Sequence, residues 1–302
     1  MRNKSIKISI VIPAFNEGEN IRECVRSLKA QDFPKDDFEI IAVDNNSTDD
    51  TLELIKTLDI PYTVEYTKGP AAAKNAGIKM ATGNIIAFVD GDCVADGKWL
   101  KEIVTVFKDS NTGCVAGEIM AMEHENMSHL EQFLIKKGHL SQNQHVKNPF
   151  LPFAATANAA YRKEVFEKIG LFDEALHIGE DADMSWRMQL KTNYKLTFSS
   201  SAVVSHPYET SLKALFRQKQ RHACGGVALY KKYRHVWPQQ ERSLKTIYWE
   251  YHSIAKRLLK FMKDYLSKDM KNLDESHFQT ILESGWKFGL IVGSLKHRVW
   301  YI

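Results

Sequence analysis

Near-continuous apolar runs occur at residues 8–12, 38–43 and 85–89, as expected of strands buried on both faces of a parallel sheet, and helical periodicity governs the segments between them. In order, the pattern predicts a strand over residues 7–13 closed by Pro13, then a helix over 21–31 that buries Ile21, Val25 and Leu28. A strand over 38–43 follows, then a helix with Leu52, Ile55 and Leu58 inward, capped by Ser47 or Thr48 with Asp49 and Asp50 in its first turn. A short strand over 62–66, a small-residue helix from Gly69 to about Gly83, and the strand ending at Val89 complete the alternation of a doubly wound α/β unit. Beyond it come a helix carrying Trp99, Ile103, Val106 and Phe107, a strand over 114–122, and a polar stretch, 124–148, expected to be mobile or to contact an acceptor. A helix over 162–169 ended by Gly170, a helix opening at Glu180 and a strand over 195–205 follow.

From residue 211 the period is helical throughout. One helix begins at Leu212, Leu215 and Phe216 and ends near Gly225 or runs on toward Tyr233. A second carries Tyr248, Tyr251, Ala255, Leu258, Leu259, Met262, Tyr265 and Leu266 on one stripe, with Lys256, Arg257, Lys260 and Lys263 off it. Residues 288–295 are apolar but too few to cross a bilayer.

The central strands end on acids. Asp90 and Asp92 bracket Gly91, which lets the backbone turn or approach a ligand closely. Two carboxylates this close repel unless a cation lies between them, and their oxygens suit Mn²⁺ or Mg²⁺. Asp44 stands at the carboxyl end of its own strand, where it can accept a hydrogen bond from a base N–H. Neither a G-x-G-x-x-G turn nor a Walker lysine motif is present, which argues against a dinucleotide dehydrogenase or a P-loop enzyme. Glu180 and Asp181 open a helix, where acids also serve simply to complement the helix dipole.

At 302 residues the chain is compatible with one large domain or two small ones. Its four cysteines form no CxxC pair, the charged N-terminus does not resemble a signal peptide, and a reducing cytoplasm is the expected location. The net charge of +4 conceals an asymmetry: residues 1–210 hold 23 Lys+Arg against 30 Asp+Glu, and residues 211–302 hold 18 against 7. A basic, aromatic-containing helical tail suits anionic lipid, a polyanionic acceptor or nucleic acid, or is a solvated lysine-rich face.

The segments Ile-Val-Ile-Pro-Ala-Phe-Asn-Glu (10–17), Val-Asp-Asn-Asn-Ser-Thr-Asp (43–49), Ala-Ala-Lys-Asn-Ala-Gly (72–77) and Val-Asp-Gly-Asp (89–92), with the block around residues 179–188, together resemble the family 2 glycosyltransferases. The resemblance implies a GT-A (Rossmann-like) α/β fold: a mixed, mostly parallel sheet flanked by helices, with a C-terminal helical extension. It implies a catalytic domain over residues 1–210, divided into a nucleotide-binding half (1–113) and an acceptor half (114–210), and a basic helical region over 211–302. By the same resemblance, Pro13, Ala14, Phe15 and Glu17 line a nucleoside pocket, and Asp44 accepts from uracil N3–H. Asp90 and Gly91 meet the ribose or a metal-bound water, and Lys74 stands where relatives often place an arginine toward the pyrophosphate. Asp92 binds the metal, with Asp90 and an imidazole at His206 beside it. Asp181 is the base that deprotonates the acceptor hydroxyl, Glu180 orients that hydroxyl or the loop, and Trp186 and Arg187 shape the acceptor pocket or simply pack and pair.

The implied activity is metal-dependent, inverting transfer of a sugar from a nucleoside-diphosphate sugar, UDP favoured, to a saccharide, lipid-linked or other hydroxyl acceptor, in cell-surface glycan or glycolipid synthesis. The cofactor is Mn²⁺ or Mg²⁺. Peripheral contact with the inner face of the membrane through the basic helices and homo-oligomerisation are the further partners considered; nucleic acid is not expected. The rival readings are a nucleotidyltransferase acting on a sugar phosphate and a non-catalytic nucleotide-sugar-binding scaffold.

Overall fold

In the computed structural model, which describes residues 7–208, 210–237, 243–266 and 273–301, the first apolar run forms strand β1, Ile8–Ala14. The charged residues 1–6 and the Tyr265 side chain lie outside this description. Alternate residues of β1 point to opposite faces of a sheet. Ile8, Ile10 and Ile12 pack with Ile21, Val25 and Leu28 of helix α1, Asn20–Lys29. Val11 packs on the other face with Ile41 and Val43 of strand β2, Phe38–Asp44, and with Ala71 and Ala73 of helix α3, Pro70–Met80. The small residues of α3 have a purpose here: a Cβ at Gly77 would fall 2.3 Å from a Val11 methyl, so only glycine lets the helix sit this close.

The sheet is completed by β3 (Tyr62–Val64), β4 (Ile85–Val89), β5 (Val94–Ala95), β6 (Thr112–Ala121), β7 (Asn158–Arg162) and β8 (Lys195–His206), in the eight-stranded order β3-β2-β1-β4-β7-β6-β8-β5. Strands β1 to β4 pair in parallel, as the alternating pattern predicts. Strand β7 then inserts antiparallel between β4 and β6, while β6 and β8 are parallel, so the sheet is mixed and mostly parallel. The other helices of this part are α2 (Thr51–Lys56), α4 (Trp99–Val106), α6 (Lys163–Ile169) and α7 (Glu180–Lys191).

The chain divides into two compact units, one of residues 1–122 and 140–207, the other of 123–139 and 208–302. The second unit is helical: α5 (His129–Lys136), α8 (Leu212–Tyr233), α9 (Leu244–Leu266) and α10 (Glu275–His297). Leu130, Phe133 and Leu134 of α5 are buried with Leu215 and Phe278, so a stretch expected to be polar carries its own apolar stripe. Helix α8 continues through Gly225 and Gly226. The apolar residues 288–295 belong to the 23-residue α10, in which Gly285, Gly289 and Gly293 face α8. A Cβ at Gly289 would lie 2.3 Å from the Gln220 carbonyl oxygen, so the two backbones meet with no side chain between them.

The expected cap at Ser47 or Thr48 is not formed. Helix α2 starts at Thr51, because the preceding residues are tied elsewhere: Ser47 Oγ accepts from the Asn16 N–H, and the Thr48 N–H donates to Asn16 Oδ1. Asp49 precedes the helix and accepts from the Thr51 hydroxyl and N–H.

Candidate active site

The carboxyl ends of β1 and β4 and the amino ends of α3 and α7 surround a cleft of about 500 Å³. Pro13, Ala14, Phe15 and Glu17 line it from the β1 loop, Asp90 and Asp92 from the end of β4, and Lys74, Glu180 and Asp181 from the two helices. Carboxylates about ninety positions apart in sequence therefore share one cavity.

On the α7 side every charge has a partner. Helix α7 begins immediately after Gly179, whose φ of +94° is a conformation that side-chain-bearing residues rarely adopt. Lys74 Nζ, buried, donates to Glu180 Oε1 at 2.9 Å and to Asp181 Oδ1 at 2.6 Å. Thr156 adds its N–H to Asp181 Oδ2 and its hydroxyl to Oδ1, both at 2.9 Å. Burial alone would lower the Lys74 amine, but the charges of Asp181 and Glu180 outweigh it and the pKa is raised. For Glu180 burial prevails, so its carboxyl is raised despite the lysine. Three donors on a carboxylate with about four lone-pair sites leave Asp181 one site open.

On the β4 side the carboxylates are short of partners. Burial, then Asp92 and Asp90, push Glu17 up to about 8. Asp90 is raised as well, by burial first and then by Asp92, against the opposing charges of Lys74 and His206. Asp92 Oδ1 is buried without a hydrogen bond among the described residues, and His206 Nε2 lies 3.5 Å from it. His206 Nδ1 sits 2.5 Å from the Pro207 carbonyl, which can only accept; Nδ1 is therefore the donor, and in the neutral ring Nε2 carries the lone pair. Asp92, Cys93 and His206 place one ligand atom each within 4.8 Å of one another. The Cys93 thiol is buried, which raises its pKa well above the ordinary value and leaves oxygen and imidazole as the fitting donors. A divalent cation would relieve the crowded carboxylates and complete the orphaned oxygen, so the residues present fit one.

Asp44 is buried and does not line the cleft, although its register partner Ala14 does. Its Oδ2 accepts from the Ser47 N–H at 3.2 Å, while Oδ1 has no hydrogen-bond partner among the described residues. Gly91 is also buried and away from the cleft lining. A Cβ there would fall 2.8 Å from Glu17 Cγ, so its smallness makes room for the Glu17 side chain. Trp186 and Arg187 are not cleft residues either. The Trp186 indole donates to the Leu151 carbonyl, and Arg187 pairs with Asp183 at 2.8 Å while donating to the carbonyls of Ile169 and Leu171. Of the alternatives weighed for them, packing and pairing is what the structure places there, because the face of α7 they occupy is turned into the core.

Three polar cleft residues escaped the sequence reading. Thr156 is a polar residue in an otherwise small, apolar run, which is the signal that marks it. Asn45 donates to the Glu65 and Thr67 carbonyls and accepts from the Gly69 N–H, holding the loop that leads into α3. Lys68 lines the cleft beside that loop, and no pattern of spacing distinguishes it from a solvated lysine.

The sequence and the fold both have counterparts. The chain is 26% identical over 291 residues to glycosyltransferase AglE of Haloferax volcanii, covering 92% of this chain and 91% of that protein. It is 28% identical over 239 residues to the pre-mycofactocin glycosyltransferase of Mycobacterium tuberculosis, covering 76% of this chain but only 48% of that longer protein. In fold it resembles the mannosyltransferase PcManGT of Pyrobaculum calidifontis, solved in complex with GDP-Man and Mn²⁺, with a TM-score of 0.67 at 16% identity over 97% of this chain and 88% of that one. The model of the family described as Glycosyl transferase family 2 matches residues 9–170, more than half of the sequence, and the chain belongs to that family.

Proposed function

We propose that this family 2 enzyme transfers a sugar from a nucleoside-diphosphate sugar, with UDP the favoured carrier, to a hydroxyl acceptor with inversion and with the help of a divalent metal. The observation that carries the reading is the sharing of one cleft by Asp92 and Asp181. The donor's nucleoside lies against Pro13, Ala14, Phe15 and Glu17, and its base N–H reaches Asp44 Oδ1, a buried oxygen with no donor among the described residues, once the chain at Ala14 shifts to uncover it. Asp92 and His206, with Asp90 beside them, would hold Mn²⁺ or Mg²⁺, which when bound supplies charge neutralisation for the departing diphosphate.

Asp181 takes the proton of the acceptor hydroxyl as that oxygen attacks the anomeric carbon from the face opposite the leaving group. Lys74 and Thr156 hold the base in one orientation while leaving it a lone pair, and Glu180 keeps Lys74 centred between the two carboxylates. A single base with no second carboxylate acting as nucleophile suits one displacement rather than two.

The test is a donor panel scored by metal-dependent thermal shift, followed by turnover of the donor that binds. Asp181→Asn is expected to keep donor binding and to lose transfer and donor hydrolysis by about 10²–10⁴-fold. Full activity in that variant would remove the proposed base. Release of pyrophosphate from a nucleoside triphosphate and a sugar phosphate would instead identify a nucleotidyltransferase, and donor binding without turnover in the wild type would identify a scaffold.

A further inference from the structure

The helical unit presents an apolar surface that its described residues leave uncovered. Along α9, ideal helix geometry of about 100° per residue places Leu244, Tyr248, Ala255, Leu259, Met262 and Leu266 in a sector roughly 60° wide. This sector faces solvent: Leu244 is 78% exposed, Leu259 68% and Leu266 74%. The opposite side of the helix is where the unit closes, through buried Ile254 and through ion pairs of Arg257 with Glu283 and of Glu250 with Lys287.

The borders of the stripe differ in chemistry. Lys245, Lys256, Lys260 and Lys263 follow along one border, and none of them has an ion-pair partner among the described residues. Past the other border the apolar surface continues into a hollow of about 590 Å³ lined by Ile247, Tyr251, Ile291, Leu295 and Trp300. Leu295 and Trp300 are themselves more than 70% exposed. Residues 211–302 as a whole hold 18 Lys+Arg against 7 Asp+Glu.

We propose that α9 and the α10 end of this unit lie flat on an anionic phospholipid surface, with the stripe among the upper acyl carbons and the lysines reaching out to lipid phosphates. An apolar sector edged by lysines, with tryptophan and tyrosine near the boundary, is the arrangement of an interfacial helix. No helix among the described residues is long and apolar enough to cross a membrane, so the contact is one of lying on the surface. A second copy of the chain suits the surface less well. In a two-fold contact antiparallel α9 helices bring the two lysine borders together and parallel ones set each lysine border against the partner's apolar hollow, and neither arrangement supplies a countercharge. A free polyanion would satisfy the lysines and leave the stripe in water.

The test is sedimentation of the full chain with vesicles of phosphatidylcholine alone or of phosphatidylcholine with phosphatidylglycerol, without donor or acceptor, so that its failure leaves the transferase reading untouched. The chain is expected to sediment with the anionic vesicles and not with the neutral ones, and to be released by salt. The triple variant Lys256→Glu, Lys260→Glu, Lys263→Glu is expected to lower the partition coefficient about 100-fold or more, at roughly one kcal/mol for each lysine at the surface. Leu259→Asp with Met262→Asp is expected to abolish partition; both positions are exposed, so an unchanged unfolding midpoint verifies that the fold survives. Wild-type chain that stays in solution with anionic vesicles overturns the proposal, as does sedimentation undiminished in both variants. A dimer in light scattering that Leu259→Asp with Met262→Asp converts to monomer, with no sedimentation of the wild type, would assign the surface to a second copy.

Discussion

Two groups of acids in the α/β unit are furnished in opposite ways. Glu180, Asp181 and Asp183 at the start of α7 have their countercharges and donors inside the chain: Lys74, Thr156 and Arg187. Asp44 and Asp92 at the strand ends each keep a buried oxygen with no hydrogen bond among the described residues, and burial, then Asp92 and Asp90, push the Glu17 carboxyl up to about 8. The first group is assembled before anything binds. The second stays electrostatically incomplete, and incompleteness of that kind is what a cation and a nucleotide can remedy.

Replacing a member of each group should therefore move stability in opposite directions. Asp92→Asn relieves repulsion, so in the absence of metal its unfolding midpoint should rise; Mn²⁺ should stabilise the wild type and not the variant; and transfer should fall about 100- to 1000-fold. Equal stabilisation of both by Mn²⁺ would place the metal elsewhere. Lys74→Met strands one buried and one half-buried carboxylate, and urea denaturation should report a loss of about 3–5 kcal/mol, part of which Lys74→Met with Glu180→Gln should restore. A loss under 1 kcal/mol would show that the lysine is not needed to keep these acids charged. Asp44→Asn turns an acceptor into a group that also donates; donor KM should increase about 10- to 100-fold with kcat little changed, while stability stays within about 1 kcal/mol.

The smallest effect belongs to the helical unit. Asp274 caps α10, accepting from the Ser276 and His277 N–H groups, and Asp274→Ala should cost about 1 kcal/mol without touching transfer. Hydrogen bonds, the Ser276 hydroxyl first, hold this carboxyl at about 2 instead of 3.8. Because the folded value is depressed, the cap's stabilisation is complete above the unfolded value of 3.8 and fades as pH falls through about 2. An acid denaturation curve shared by wild type and variant would contradict it.

Asp44 and Asp90 were legible in the sequence because each follows an apolar run, and a buried parallel strand has only one polar edge at which to end. The position of β7 was not, since antiparallel insertion between β4 and β6 is decided by pairing across about seventy residues. Lys74 could be recognised as a cation near the cleft. Its partners lie 106 and 107 positions away, which no local pattern encodes. Trp186 and Arg187 carry the residue types of a binding surface, and only packing shows that they face Leu151 and Asp183. The full length of α10 was concealed by Gly285, Gly289 and Gly293, which interrupt the apolar period because they are where the helix touches α8.

The Lys74 bridge also separates two chemical duties that a shared ion would have fused. An enzyme whose base borrows its counterion from bound metal loses both functions whenever metal is scarce. In the proposed mechanism the proton acceptor keeps its alignment from a covalently tethered ammonium group, so depletion of metal would idle donor handling alone and leave the rest of the machine poised to resume.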